Sequence, residues 1–332
     1  MGDVRGTAPG AGIPSPDARA RFFAAAPSAV DTARLDLSVR IGSLTLANPV
    51  MPASGCFGPE LGCLIPASEL GAVVTKTVFA GIRGGNRANR LGELSAGMVN
   101  SVGIPSAGAA GYLRMLHPAY TALGVPVIIS VGGHRPGEYA TVVAELRGAG
   151  DAYELNVSCP NLEGGGVDIG ADPEAICDVV RQVRNETDKP IVVKLPSMIA
   201  SVAECAEAAE ESGASALCVA NSLPSLPIDL GTGRPALGNL IGGLSGPTIR
   251  PVILRLVWLA SAAVRIPVIA CGGIESADDA LEYVSVGATA VQVGTATFAR
   301  PFAMVQVARD LRTRCEAAGV SRIEDLAERI VR

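Results

Sequence analysis

The stretch Asn156-Val-Ser-Cys-Pro-Asn161 sets a thiol and a hydroxyl between two carboxamides. If it ends a β-strand, alternation sends Asn156, Ser158 and, once the strand is over, Asn161 to one side. Cys159, on the rigid turn made by the following proline, then lies at the rim beside Gly164-Gly165-Gly166, where a thiol can act as a general base under a movable loop. Of the 27 basic residues only Lys76, Lys189 and Lys194 are lysines. Lys189 precedes Pro190 in a polar turn and reads as solvated. Lys76 and Lys194 end apolar runs, where a charge is costly without partners. Lys194 could face a flavin ring, a Schiff-base carbonyl or a structural carboxylate. Two lysines converging on one mouth favour an anionic ligand. Gly272-Gly273 and Gly294-Thr295 offer the amides and hydroxyl that hold a phosphate.

The elements that must position these residues read as βα repeats. Eight short apolar runs start at Pro49, Gly71, Pro126, Ala152, Pro190, Ser215, Pro267 and Ala288. They alternate with amphipathic stretches, the pattern of buried parallel strands and covering helices. Ser201-Val-Ala-Glu204 predicts a capping box for a helix stopping at Gly213, and Ser276 opens another that stops at Gly287. Pro173, Pro247 and Pro301 each suit a first helical turn. Eight such units close most economically as a (β/α)8 TIM barrel, with a doubly wound sheet as the alternative. Leu35 to Pro49 reads as a hairpin turning at Gly42-Ser43 and capping the barrel bottom. Residues 1–33, rich in Ala, Gly, Pro and Asp, read as a flexible tail, leaving 34–332 for the barrel. The runs end in Ala53-Ser54, Lys76, Gly132-Gly133, Asn156, Lys194, Asn221-Ser222, Gly272-Gly273 and Gly294-Thr295, and such C-terminal strand ends carry the chemistry of barrels.

Composition narrows the classes. In 332 residues, 48% hydrophobic and 18% charged, with a net charge of −5, there is no basic run to meet a nucleic acid. No apolar stretch is long enough to span a bilayer. The start lacks a secretory signal, and the eight cysteines include no CxxC pair, which predicts a cytoplasmic protein without a local iron–sulfur or zinc site. With only His117 and His134, chemistry built on histidine has little material.

NVSCPN from Asn156, PASGCFG from Pro52, TKT from Thr75, MVNSVGIP from Met98, GGLSGP from Gly242, CGGI from Cys271 and VGTA from Val293 together resemble the dihydroorotate dehydrogenases of the cysteine-base class. The similarity runs in register from about 36 to 320, and is greatest to the catalytic subunit of the NAD-linked two-subunit type. The resemblance implies FMN at the barrel mouth, its phosphate on Gly272, Gly273, Gly294 and Thr295, with Gly246 also on the cofactor. The ring edge would meet Ala53, Ser54, Lys76 and Lys194. It further implies dihydroorotate or orotate held by Lys76, Asn100, Asn156, Asn161, Asn221 and Ser222, with the backbone of Val102, Gly103 and Ile104. Cys159 would take the C5 proton while hydride leaves C6. An FAD and iron–sulfur partner subunit, and a homodimer, are implied in the same way.

The chain departs from the family pattern at Ser106, where the family has asparagine, at Arg87 and Asn89 in GNRANR, at His134, and in the loop NSLPSLP after Asn221. Alternatives are a dihydropyrimidine dehydrogenase-like reductase, which carries histidine where this chain has Asn161, and an FMN oxidoreductase of specialised metabolism acting on a related cyclic substrate. A Schiff-base aldolase using Lys194 and a non-catalytic barrel that retains FMN are readings from other classes.

Overall fold

Each of the eight apolar runs forms a strand of one parallel sheet. In chain order these are β1 (Val50–Pro52), β2 (Val73–Val74), β3 (Val127–Val131), β4 (Ala152–Asn156), β5 (Ile191–Lys194), β6 (Ala216–Val219), β7 (Val268–Cys271) and β8 (Ala290–Val293). The sheet order is β1-β8-β7-β6-β5-β4-β3-β2, and Gly71 N donates to Val50 O at 2.8 Å where β1 and β2 meet. The computed structural model describes residues 35–158 and 169–323. The sheet is the nearly closed wall of a (β/α)8 barrel. Its strands are buried on both faces, the inner by the barrel filling and the outer by helices, so they read as near-continuous apolar runs.

The hairpin Val39–Ile41 and Leu44–Leu46 turns at Gly42-Ser43 as expected. Gly42 packs against Ser215 and Pro190, which precede β6 and β5, so the hairpin covers the bottom of the barrel. Pro173 opens the helix Pro173–Arg184, and Pro247 opens a short 3-10 turn running into the helix Arg250–Ala263.

Three expectations need correction. Ser201 caps the helix Val202–Glu211 through Glu204 N at 3.3 Å, but the reciprocal bond of a capping box is absent there and forms instead at Ser276 and Asp279, before the helix Ala277–Ser285. Pro301 stands ahead of the helix Ala303–Ala317 rather than in its first turn. Lys189 is tied down, its Nζ donating to the carbonyls of Gly148 and Gly150.

One feature carries no signal of its own in the sequence. Leu223–Ser225, Gly242–Ser245, Gly97–Asn100 and Leu91–Leu94 form a four-stranded antiparallel sheet from the excursions that follow β2 and β6. Because both excursions leave C-terminal strand ends, this sheet stands on the mouth side and brings Asn100 beside Gly243.

Candidate active site

Parallel register decides which side chains face the barrel interior. Asn156 pairs with Lys194, Lys194 with Cys218, Cys271 with Gln292, and Glu154 with Ser130, so these residues share one side of the sheet. Near the mouth they form a hydrogen-bonded chain. Asn221 Nδ2 donates to Ser158 Oγ at 2.7 Å, and Ser158 Oγ donates to Asn156 Oδ1 at 2.6 Å. Asn156 Nδ2 reaches Thr77 Oγ1 at 3.2 Å, and Thr77 continues to Ser130 Oγ at 2.9 Å and Ser54 Oγ at 3.4 Å. The chain therefore joins the ends of β6, β4, β2, β3 and β1.

Each carboxamide has two N–H groups and two acceptor lone pairs. Asn156 and Asn221 each spend one N–H within the chain, and Asn100 spends one on Gly243 O at 3.2 Å. One N–H of each carboxamide is left without an acceptor among the described residues. Ser222 N donates to Asn221 Oδ1 at 2.8 Å, so Ser222 first fixes that carboxamide. Cys159 and Asn161 lie outside the described residues, as does Gly164-Gly165-Gly166. Ser158, adjacent to Cys159, is buried within the chain.

Val102, Gly103 and Ile104 follow Asn100 on a bent segment. Ile104 has φ 43°, an unfavourable conformation for a β-branched residue, and Gly103 has φ 71°. Asn86 holds the turn through its amide to Val102 O at 3.0 Å and its side chain to Ser101 Oγ at 3.0 Å. Two positions that depart from the family pattern make hydrogen bonds here. Ser106 Oγ accepts from Phe79 N and Gly108 N, both at 3.1 Å. His134 Nε2 meets Arg83 Nη1 at 2.7 Å.

The two lysines differ. Lys76 is half-buried, its Nζ 3.3 Å from the position a Cβ on Gly55 would take, and no carboxylate among the described residues pairs with it. Burial pulls its amine below the ordinary lysine value. Lys194 is inside the barrel, bound to Gln292 Oε1 at 3.0 Å and Cys271 Sγ at 3.6 Å, with Glu154 Oε1 at 3.8 Å. Burial works against its charge, but Cys218, Cys271 and Glu154 outweigh that, and the ammonium is held well above the usual range. Cys56 lies in the field of both lysines, and burial raises its thiol to about 11.

At the ends of β7 and β8, glycine turns stack on one another. Gly273 has φ 67°, and a Cβ there would lie 2.7 Å from Gly246 O; Gly246 has φ 104°, and a Cβ there would lie 2.7 Å from Gly97 Cα. Neither site tolerates a side chain without moving backbone. The amides of Gly246, Gly273, Gly294 and Thr295 donate to no acceptor among the described residues. Thr295 Oγ1 donates to Ser245 Oγ at 2.7 Å, joining the β8 end to the mouth sheet. The helix Ala277–Ser285 starts just beyond, its own end closed by the Ser276–Asp279 capping box, which leaves the glycine-turn amides as the free donors here.

Thr77, Ser130, Glu154, Gln292 and Ser245 are the positioning residues that sequence reasoning missed. Only the period-two alternation within their strands could have pointed inward to Ser130, Glu154 and Gln292. Among the described residues no cluster of His, Cys, Asp and Glu could hold a metal ion, and no helix is long and apolar enough to cross a membrane.

Fold and site together define a (β/α)8 barrel whose mouth gathers glycine turns, hydrogen-bonded carboxamides and a half-buried lysine. Residues 36–315 match the family model for dihydroorotate dehydrogenase. The chain belongs to that family. It is 42% identical over 294 residues to a protein of Trichlorobacter lovleyi named dihydroorotate dehydrogenase B (NAD(+)), catalytic subunit, covering 87% of this chain and 97% of that protein. Proteins of the same name from Geotalea uraniireducens and Pelobacter propionicus are 40% and 41% identical, each covering 88% of this chain and 97% of the relative.

Proposed function

We propose that this chain oxidises dihydroorotate to orotate in pyrimidine biosynthesis, with FMN as its cofactor. The observation that carries the reading is the chain from Asn221 through Ser158 and Asn156 to Thr77, which gathers carboxamides at one mouth with a lysine that no carboxylate among the described residues pairs with. A cyclic diamide bearing a carboxylate asks for that donor set.

The residues present fit FMN. Unpartnered amides at Gly246, Gly273, Gly294 and Thr295 suit its phosphate, and Gly272 keeps the turn compact. Ala53, Ser54, Lys76 and Lys194 would border the ring. The chemistry FMN supplies when bound is acceptance of the hydride that leaves C6. Lys76 pairs with the substrate carboxylate, and Asn100, Asn156, Asn161 and Asn221 orient the ring, with Val102, Gly103 and Ile104 closing against it. Cys159 takes the C5 proton onto its sulfur. Lys194 is committed to Gln292 Oε1 and Cys271 Sγ with the Glu154 carboxylate opposite, surroundings that favour the ammonium over the neutral amine from which a Schiff base starts. The relatives are named as catalytic subunits of an NAD(+) enzyme, so we assign the onward route to a second subunit carrying FAD and an iron–sulfur cluster.

The test is an anaerobic visible spectrum of the purified chain before and after stoichiometric L-dihydroorotate. A yellow protein that bleaches supports cofactor and substrate together. A yellow protein that stays yellow, yet bleaches with a dihydropyrimidine lacking the carboxylate, replaces dihydroorotate by that class. Gly273→Ala tests the assigned phosphate site. With a Cβ driven against Gly246 O at a positive φ, flavin retained through purification is expected to fall about tenfold, corresponding to the usual strain of 1–3 kcal/mol. Retention equal to wild type, with a native circular dichroism spectrum, would move the phosphate elsewhere.

A further inference from the structure

A buried ion pair runs inward from the level of Asn156, its acidic member one inward-facing position deeper, and no step assigned so far uses that member. Glu154, on β4, is 0% exposed. Its Oε2 accepts from Gln292 Nε2 at 2.5 Å, while Oε1 has no hydrogen-bond partner and lies 3.8 Å from Lys194 Nζ. Gln292 comes from β8, which is not a neighbour of β4 in the sheet, and its amide spans the interior. Its Oε1 takes the Lys194 ammonium at 3.0 Å and the Cys218 thiol at 3.3 Å. That fixes the amide orientation, since Nε2 must then face the carboxylate. Lys194 is thereby held by one glutamine oxygen and one sulfur, with a carboxylate opposite.

Stability does not account for this arrangement. Taking a carboxylate and an ammonium out of water costs about as much as their attraction returns, and apolar residues of similar volume usually do as well. Electrostatics at the strand ends does account for it. Lys194 is the last residue of β5, on the level of Asn156 in the pairing register, and therefore directly beneath the mouth. An uncompensated ammonium there would favour electron-rich groups bound above it, because a charge in a low-dielectric interior is poorly screened. Glu154 supplies the opposite charge on the same axis, and Gln292 relays the contact.

We propose that Glu154 is a positioning residue that, through Gln292, fixes the Lys194 ammonium and offsets its charge, and so sets the reduction potential of flavin bound at the barrel mouth. The inference rests on the FMN reading above. It concerns potential rather than proton transfer, so its signature differs from that of a residue that merely packs.

The experiment measures the flavin potential of the purified holoprotein by reductive titration against a reference dye, for the wild type, Glu154→Gln, Lys194→Met and the double variant. Glu154→Gln keeps the shape and the contact to Gln292 but leaves Lys194 uncompensated. Its potential is expected to rise by at least the equivalent of a tenfold change in the oxidised-to-reduced equilibrium, about 30 mV for a two-electron couple. Lys194→Met is expected to shift in the opposite direction, and the double variant to return toward the wild type. If Glu154→Gln fails to fold, Lys194→Met against the double variant isolates the same carboxylate, and the double should lie higher. A potential unmoved by loss of the carboxylate in either background overturns the proposal. A wild-type chain that binds no FMN, even when FMN is added, defeats instead the reading on which it rests.

Discussion

Replacement of Cys159 by alanine is expected to slow flavin bleaching by dihydroorotate by ~10²-fold or more, the usual size of a general-base contribution. The effect belongs to one half-reaction. Removing the C5 proton accompanies loss of hydride from C6, so a variant without the base stalls reduction by substrate while leaving chemical reduction by dithionite untouched. Flavin content is expected to be unchanged, because the residues we assign to its phosphate, Gly246, Gly273, Gly294 and Thr295, lie in turns that follow other strands. Orotate affinity should change little, since its polar edge is assigned to lysine and carboxamides. The pH profile gives a second reading of the same role. A base works in its proton-free form, so the wild-type rate climbs with pH through its titration, and the alanine variant should lose that limb. Anaerobic stopped-flow bleaching measures both. An unchanged rate would remove Cys159 from the mechanism and transfer the proton to another group.

Much of this site could be read before any coordinates, for a physical reason. Strands buried on both faces are written as short apolar runs, and in a parallel barrel the residue that ends each run must meet the mouth. Asn156, Lys194, Asn221 and Gly272 therefore announced their places, and pairing register bears this out for Asn156 beside Lys194. What stayed hidden depends on contacts between strands far apart in sequence. Glu154 and Gln292 are separated by 138 residues and meet only because the sheet curls, so neither signals the other. The mouth sheet is hidden for a similar reason: Gly243 pairs with Asn100 across 143 positions, and two short polar excursions show no shared periodicity. Local signals misled where tertiary contacts won. Ser201 and Glu204 have capping-box spacing, yet the second bond is absent there and forms at Ser276 and Asp279, where Asp279 also pairs with Arg250. Lys189, read as solvated from its polar turn, was claimed by two carbonyls from the preceding βα unit.

Lys76→Met is expected to raise the dissociation constant for orotate by ~30- to 4,000-fold, the range for deleting one partner of a desolvated charge pair at about 2–5 kcal/mol. Methionine matches the stem and lacks the charge, so the fold around Gly55 should persist. The structure separates Lys76 from Lys194 on this point. Lys194 already has a carboxylate opposite it, whereas Lys76 has none among the described residues, and we therefore assign the anion of the ligand to Lys76. The cost of holding that ammonium half-buried appears in its titration, which burial pulls below the ordinary lysine value. The sign of the pH effect follows. Below that lowered value Lys76 is charged and binds the carboxylate; as pH rises through it the charge is lost and affinity falls, earlier than an exposed lysine would allow. Bound ligand opposes the loss, because it stabilises the charged form, so the free protein should release its proton at lower pH than the orotate complex. Titrating orotate against flavin absorbance across alkaline pH reads both quantities. A wild-type affinity flat with pH, together with a Lys76→Met variant that binds orotate normally, would assign the carboxylate to a different cation.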